Sequence, residues 1–178
     1  RAIELDESDA EAHFALAIIN FYTDQVEAAI TACEKALRLN PNLAVAEAWL
    51  GACLSWDGKY ERALAHAQRA QRLSPFDSFS VGNFARTCAE YGAGNYEQAV
   101  VWAKRTIEVT PEFPAAWFYL ALSYAHLERV EDARETGGRI LQMMPHLTIR
   151  LIRAALPSKR SYEIERRIDG FRIAGIPE

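Results

Sequence analysis

Little in this chain speaks for chemistry. It has three cysteines, Cys33, Cys53 and Cys88, and no two stand at the short spacing of a metal-binding pair. Among apolar and small neighbours they read as buried side chains of a reducing compartment, which makes the chain cytoplasmic by expectation. No apolar run reaches the ~18 residues of a membrane helix. The longest, from Phe14 to Tyr22, is broken by Asn20, so no membrane partner is expected. GxGxxG, a Walker-type loop, GxSxG and HExxH are all missing. The four histidines, His13, His66, His126 and His146, are dispersed with no second ligand at metal-binding distance in sequence. No catalytic or metal-ligating residue is therefore assigned. The fragment is expected not to be an enzyme, and no cofactor and no small-molecule substrate are expected. A net charge of -4 argues against nonspecific nucleic-acid binding, which needs a basic face.

What the chain does have is repetition. Pro41, Pro75, Pro111 and Pro145 are spaced 34, 36 and 34 apart, and Ala29, Ala63, Ala99 and Ala133 each precede their proline by twelve. A period near 34 is the mark of stacked helical hairpins. Four units follow: residues 10–43, 44–77, 78–113 and 114–147. The third carries two extra residues, placed near Tyr91 to Ala93. Residues 1–9 read as the end of a preceding, truncated unit, and 148–178 as a C-terminal helical cap. Within a unit the apolar spacing is helical: Trp117, Leu120, Ala121 and Tyr124 fall at i, i+3, i+4, i+7. Asp57-Gly58-Lys59 breaks unit two as a turn, and each proline stops a second helix. Small residues on the first helices, Ala17, Gly51, Ala85 and Ala121, are expected to face the alanines of the second helices and let the pair close up.

Trp117, Leu120, Ala121, Tyr124, Ala133, Gly137, Ile140 and Pro145 in unit four, with Leu50, Gly51, Leu54, Tyr60, Ala63, Ala70 and Pro75 in unit two, resemble the tetratricopeptide repeat. His13 and Asn20 in unit one, and Gly137 where an aromatic is usual, depart from it. The resemblance implies an all-α fold: a right-handed superhelical solenoid of antiparallel helix pairs, closed by C-terminal capping helices. It also implies a concave face lined by first helices and used to bind a protein or peptide. On that register the candidate groove residues are Phe14, Ile18, Phe21 and Tyr22 in unit one, Trp56 in unit two, Arg86 in unit three, and Phe118, Leu122 and His126 in unit four, with Phe79, Gly82 and Glu90 beside Arg86. The family's carboxylate-holding Lys and Asn are replaced by Phe14, Ile18 and Trp49, so an apolar segment is the expected ligand. The same residues are open to a second reading, as internal packing against the chain's own tail or a missing helix.

The tail holds seven basic residues against four acidic, leaving thirteen against twenty elsewhere. That supports an alternative, a nucleic-acid-binding helical repeat using a basic tail, beside the plainer reading of a solvated cap. The closing stretch, residues 168–178 (IDGFRIAGIPE), resembles the ending of bacterial repeat arrays that follow adenylate/guanylate cyclase or winged-helix regulator domains. It implies the C-terminal regulatory part of a bacterial signalling protein. Self-association through the truncated N-terminal end is a further expectation.

Overall fold

The computed structural model describes residues 9–75, 80–156 and 161–178, the last stretch with side chains from Glu163 onward. Ten helices and no strand are found among them. Four hairpins come first: α1 (Ala10–Tyr22) with α2 (Val26–Leu39), α3 (Ala44–Trp56) with α4 (Tyr60–Leu73), α5 (Val81–Gly92) with α6 (Tyr96–Val109), and α7 (Pro114–His126) with α8 (Val130–Met143). Two tail helices follow, α9 (Ile149–Ala155) and α10 (Ser161–Ile173). Each first helix packs on its own second helix, and each second helix packs on the first helix of the next unit. The result is a two-layered stack, a helical solenoid. No helix among the described residues is long and apolar enough to cross a membrane.

One turn is repeated four times. Each hairpin is joined by three residues, and the middle one is left-handed: Asp24 (φ 60°), Gly58 (76°), Gly94 (81°) and Glu128 (58°). The following N–H donates back five residues, Gln25 to Asn20, Lys59 to Leu54, Asn95 to Glu90 and Arg129 to Tyr124, at 2.8–3.0 Å. This closes the carbonyls of the first helix in a Schellman motif. Glycine meets the left-handed requirement without penalty in units two and three, and Asp24 and Glu128 meet it at a steric cost.

This constancy relocates the insertion of unit three. The α5–α6 turn has the same three residues as its counterparts, and Tyr91 and Gly92 are helical. The longer connection lies ahead of α5, seven residues (74–80) where α2–α3 and α6–α7 have four. The register of α5 therefore moves by two. Thr87, fully buried, takes the place held by Ala17, Gly51 and Ala121, rather than Ala85. Of the remaining expectations, the truncated unit at residues 1–9 lies, but for Asp9, outside the described residues, as does Phe79.

The small first-helix position is tightest at Gly51. A Cβ there would stand 3.0 Å from the Ala63 carbonyl oxygen and 3.3 Å from the Ala67 amide nitrogen. Both are backbone atoms of a packed helix and cannot swing aside. Gly51→Leu is expected to cost more than about 2 kcal/mol by overpacking, read as a lower urea midpoint in circular dichroism. An unchanged midpoint would mean that α3 and α4 are not in this register.

Candidate functional site

The inner face of the array is made by the first helices, and the tail helix α10 lies on half of it. Its apolar side, Ile164, Ile168 and Phe171, is buried. Phe171 meets Phe118 edge-on at 5.6 Å. Gly170 rides over Leu122, where a Cβ would come within 2.7 Å of a methyl group. The end of the tail is tied down by Ile149, whose N–H donates to the Pro177 carbonyl (2.7 Å), and by Gly175, left-handed at φ 82°, with the Ile176 N–H returning to Phe171. Gly137 on α8 explains itself here: the Ala174 carbonyl occupies the space an aromatic would fill. Units three and four thus have their concave face filled by the chain's own C-terminus.

Three charged residues of α10, Glu163, Arg166 and Arg167, are turned inward with it. Arg166 donates to the Tyr96 hydroxyl (2.8 Å) and pairs with Glu163 (2.7 Å), which in turn accepts from Tyr60 (3.3 Å). Arg167 is only 4% exposed. Its guanidinium lies 4.0 Å from the Trp56 ring centre, 5.0 Å from Tyr91 and 5.2 Å from Tyr119, and it donates to the Tyr119 hydroxyl at 3.1 Å. Burial works against its charge, but the hydroxyls of Tyr119 and Tyr91 more than offset that, so its pKa stands above the usual value and the group stays cationic. Burial also pushes Tyr91 up to about 12. His126 accepts or donates at 3.0 Å to Tyr91 and stacks on Tyr96; burial, then Arg166 and Arg167, hold its pKa below the ordinary value. The basic count of the tail therefore overstates its free surface charge; of its seven basic residues Arg150 is exposed, and Lys159 and Arg160 lie outside the described residues. Two arginines are inside, and Arg153 and Arg172 pair with Glu165, Asp169 and Glu178.

The other half of the inner face is open. Phe14, Phe21, Tyr22, Trp49 and Trp56 form a ladder of rings, edge-on for Phe14–Trp49 at 6.4 Å, Phe21–Trp49 at 5.8 Å and Phe21–Trp56 at 6.1 Å, and tilted for Tyr22–Trp49 at 6.3 Å. Tyr22 is 75% exposed, and Phe14 and Ile18 are half-buried. Trp56 ends this ladder and begins the tail's seat, since Arg167 covers its ring.

The nine residues singled out from sequence therefore divide. Phe14, Ile18, Phe21 and Tyr22 share the open ledge. Trp56, Phe118, Leu122 and His126 are brought together beneath or beside α10. Arg86 belongs to neither: it stacks on Trp102 of α6 at 5.2 Å and pairs with Glu90 at 2.8 Å, facing the second-helix layer. The two-residue shift of register is the cause: it puts Phe84, Cys88 and Gly92 in the places assigned to Gly82, Arg86 and Glu90, and Tyr91 in the place that Phe21 holds in unit one. Tyr91, Tyr119 and Arg167 were missed. The seven-residue step from Phe84 to Tyr91, equal to that from Phe14 to Phe21 and ending three residues before the turn in both units, was the available signal for Tyr91.

Sequence profiles of the tetratricopeptide repeat match residues 10–43 and 84–145, together more than half of the chain. An uncharacterized protein of Methanocaldococcus jannaschii is 40% identical over 55 residues, which span 31% of this chain and 64% of that relative. Among solved structures, the type IV pilus biogenesis factor PilW superposes with a TM-score of 0.73 at 18% identity, covering 98% of this chain and 77% of PilW. YrrB, described as a repeat protein with an unusual peptide-binding site, does so with a TM-score of 0.57 at 18% identity over 95% of this chain and 90% of its own. At these identities the structures speak for the fold alone. Profile, hairpin geometry and superposition agree, and the chain belongs to the tetratricopeptide-repeat family.

Proposed function

We propose that this chain is a non-catalytic scaffold that binds an apolar segment of a partner protein on the first helices of units one and two, beside its own tail helix. The fold is one that supports protein–protein interaction, and YrrB, which shares it, is described as binding a peptide. The observation that carries the reading is the aromatic ledge: five rings in mutual contact with Tyr22 standing 75% exposed at its rim. Clustered aromatic side chains with a polar surround are the usual energetic centre of a binding patch. The ledge lies beside a groove already occupied by a helix of this chain, which supports a helix or an extended strip of apolar side chains as the ligand. By the resemblance of its closing stretch, the array would serve as the regulatory portion of a larger bacterial signalling protein, with a cyclase-like or winged-helix domain elsewhere in that protein.

Ile19 supports the accompanying proposal of self-association. It is 59% exposed, whereas its counterparts Cys53, Ala89 and Ser123 are buried. It stands on the end of the stack that a neighbouring unit, or a second copy, would cover.

The test is a peptide-display selection on the immobilised chain, followed by titration of the recovered peptides. The double variant Ile18→Ala, Tyr22→Ala is expected to bind them at least about tenfold more weakly, with its stability reduced by less than about 1 kcal/mol. Peptides that bind the variant as well as the parent would end the ledge reading.

A further inference from the structure

Two guanidinium groups and a histidine share one enclosure under α10. His126, the last residue of α7, is half-buried. Its ring stacks on Tyr96 of α6 with the ring centres 4.8 Å apart, and tilts against Tyr91 of α5 at 5.7 Å. Nε2 meets the Tyr91 hydroxyl at 3.0 Å. The same two tyrosines hold the arginines of the tail. Arg166 donates to the Tyr96 hydroxyl and stands 5.1 Å from the Tyr91 ring centre, and Arg167 stands 5.0 Å from that centre.

The charges around His126 are unevenly matched. From α10, Arg166 and Arg167 oppose a proton on the ring, while Glu163 and Asp169 favour one. Both carboxylates are already paired, Glu163 with Arg166 at 2.7 Å and Asp169 with Arg172 at 3.1 Å. From α5 and α6 the ring meets the neutral hydroxyl of Tyr91 and the face of Tyr96. Toward α8, Glu128 is exposed, and Arg129 is turned onto the Tyr124 ring and Asp132. A proton on His126 therefore adds a third positive charge to an enclosure that already holds two permanent ones. Burial opposes that proton as well.

We infer that His126 is an acid-sensitive latch on the tail: neutral, it seats α10 against units three and four, and protonated, it loosens that seat. With α10 seated, the ring is enclosed beside both arginines. With α10 lifted, it is in water and free of them. The lifted form takes the proton more readily, so seating weakens as the pH falls below about 6.5, the ordinary histidine value. Above about pH 7.5 the ring is neutral in both forms and the seat keeps its full strength. Acid would uncover Phe118, Leu122 and the Trp56 face, which Phe171, Gly170 and Arg167 now cover. The latch is independent of the peptide-binding ledge and needs no partner.

Hydrogen exchange of the whole chain, at about pH 7.5 and about pH 5.5 and corrected for the intrinsic pH dependence of exchange, tests it in a window where histidine is the ordinary side chain that changes charge. Opening of α10 is expected to rise at least about fivefold on acidification, with α2, which carries no histidine, changed less than about twofold. His126→Gln keeps a hydrogen-bonding group toward Tyr91 and takes no proton, and is expected to remove the rise. His146→Gln, at an exposed histidine, is expected to preserve it. A nuclear magnetic resonance titration of the parent is the second readout, with His126 expected to titrate below the ordinary histidine value. Protection of α10 that is equal at both pH values, an equal rise in α2, a rise that persists in His126→Gln or vanishes in His146→Gln, or a His126 midpoint at or above about 6.5 would each overturn the inference. The exchange and titration of the parent decide it even where His126→Gln fails to fold.

Discussion

Gly137→Ala is expected to destabilise the protein by more than about 2 kcal/mol, while Gly138→Ala, one residue on, stabilises it by about 0.5–1 kcal/mol. The two glycines sit in the interior of the same helix, α8, so helix propensity favours alanine equally at both. What differs is the space. At Gly138 nothing lies within 4 Å of an added Cβ. At Gly137 the Cβ would stand 1.9 Å from the Ala174 carbonyl oxygen and 2.9 Å from its carbon. That carbonyl cannot give way cheaply. It precedes the left-handed Gly175, the Ile176 N–H is spent on Phe171, and the Pro177 carbonyl is spent on Ile149. Moving Ala174 therefore loosens the whole closing stretch and uncovers Phe118 and Leu122. Urea unfolding of the two single variants, followed by circular dichroism, checks the sign at each position. Equal effects would mean that the tail does not seat on α8.

The pair of glycines also shows what was legible from sequence. Gly137 was visible as a departure from the repeat, a glycine where an aromatic is usual, but nothing local says what fills the space it leaves. The filler is 37 residues further along the chain. The same limit applies to Arg167. An arginine on a charged helix reads as solvated, and only the convergence of Trp56, Tyr91 and Tyr119 from three different units makes its burial tolerable. By contrast the hairpins, their turns and the stacking alanines were readable, because each depends on residues within one hairpin: the prolines after the second helices, Gly58 in its turn, Ala63 against Gly51. The one error of register arose where local signals conflict. Gly92 and Gly94 together look like an enlarged turn, yet Gly92 is the last residue of α5, and it is a glycine because Tyr60 and the Ser55 hydroxyl leave no room for a side chain. The extra length then belongs to the connection before α5, and Arg86 leaves the groove with it.

Removing the chain after Leu156 is expected to be the most damaging change of all, and a reversible one. Ile164, Ile168, Phe171 and Ile176 are each buried by the array. At about 1.5–3 kcal/mol for each large apolar side chain, the gross burial forfeited is of the order of a domain's whole net stability. The damage should be local, since each unit of a solenoid is held mainly by its neighbours. Units one and two, whose rings and alanines pack on each other, should keep a cooperative transition, while unfolding of α7 and α8 moves to lower temperature and separates from it. A synthetic peptide of residues 161–178, added in trans, should restore a single transition. The same peptide carrying Arg167→Ala should do so at least about tenfold less well, because it leaves the Trp56 face bare and the Tyr119 hydroxyl without its donor. Calorimetric scans of the truncated chain with and without each peptide measure this directly. A truncated chain that still melts in one step at the parent temperature would show that α10 is only a passenger on the array. Rescue by the peptide would show instead that the inner face of units three and four is a working helix-binding groove whose resident ligand is the protein's own tail.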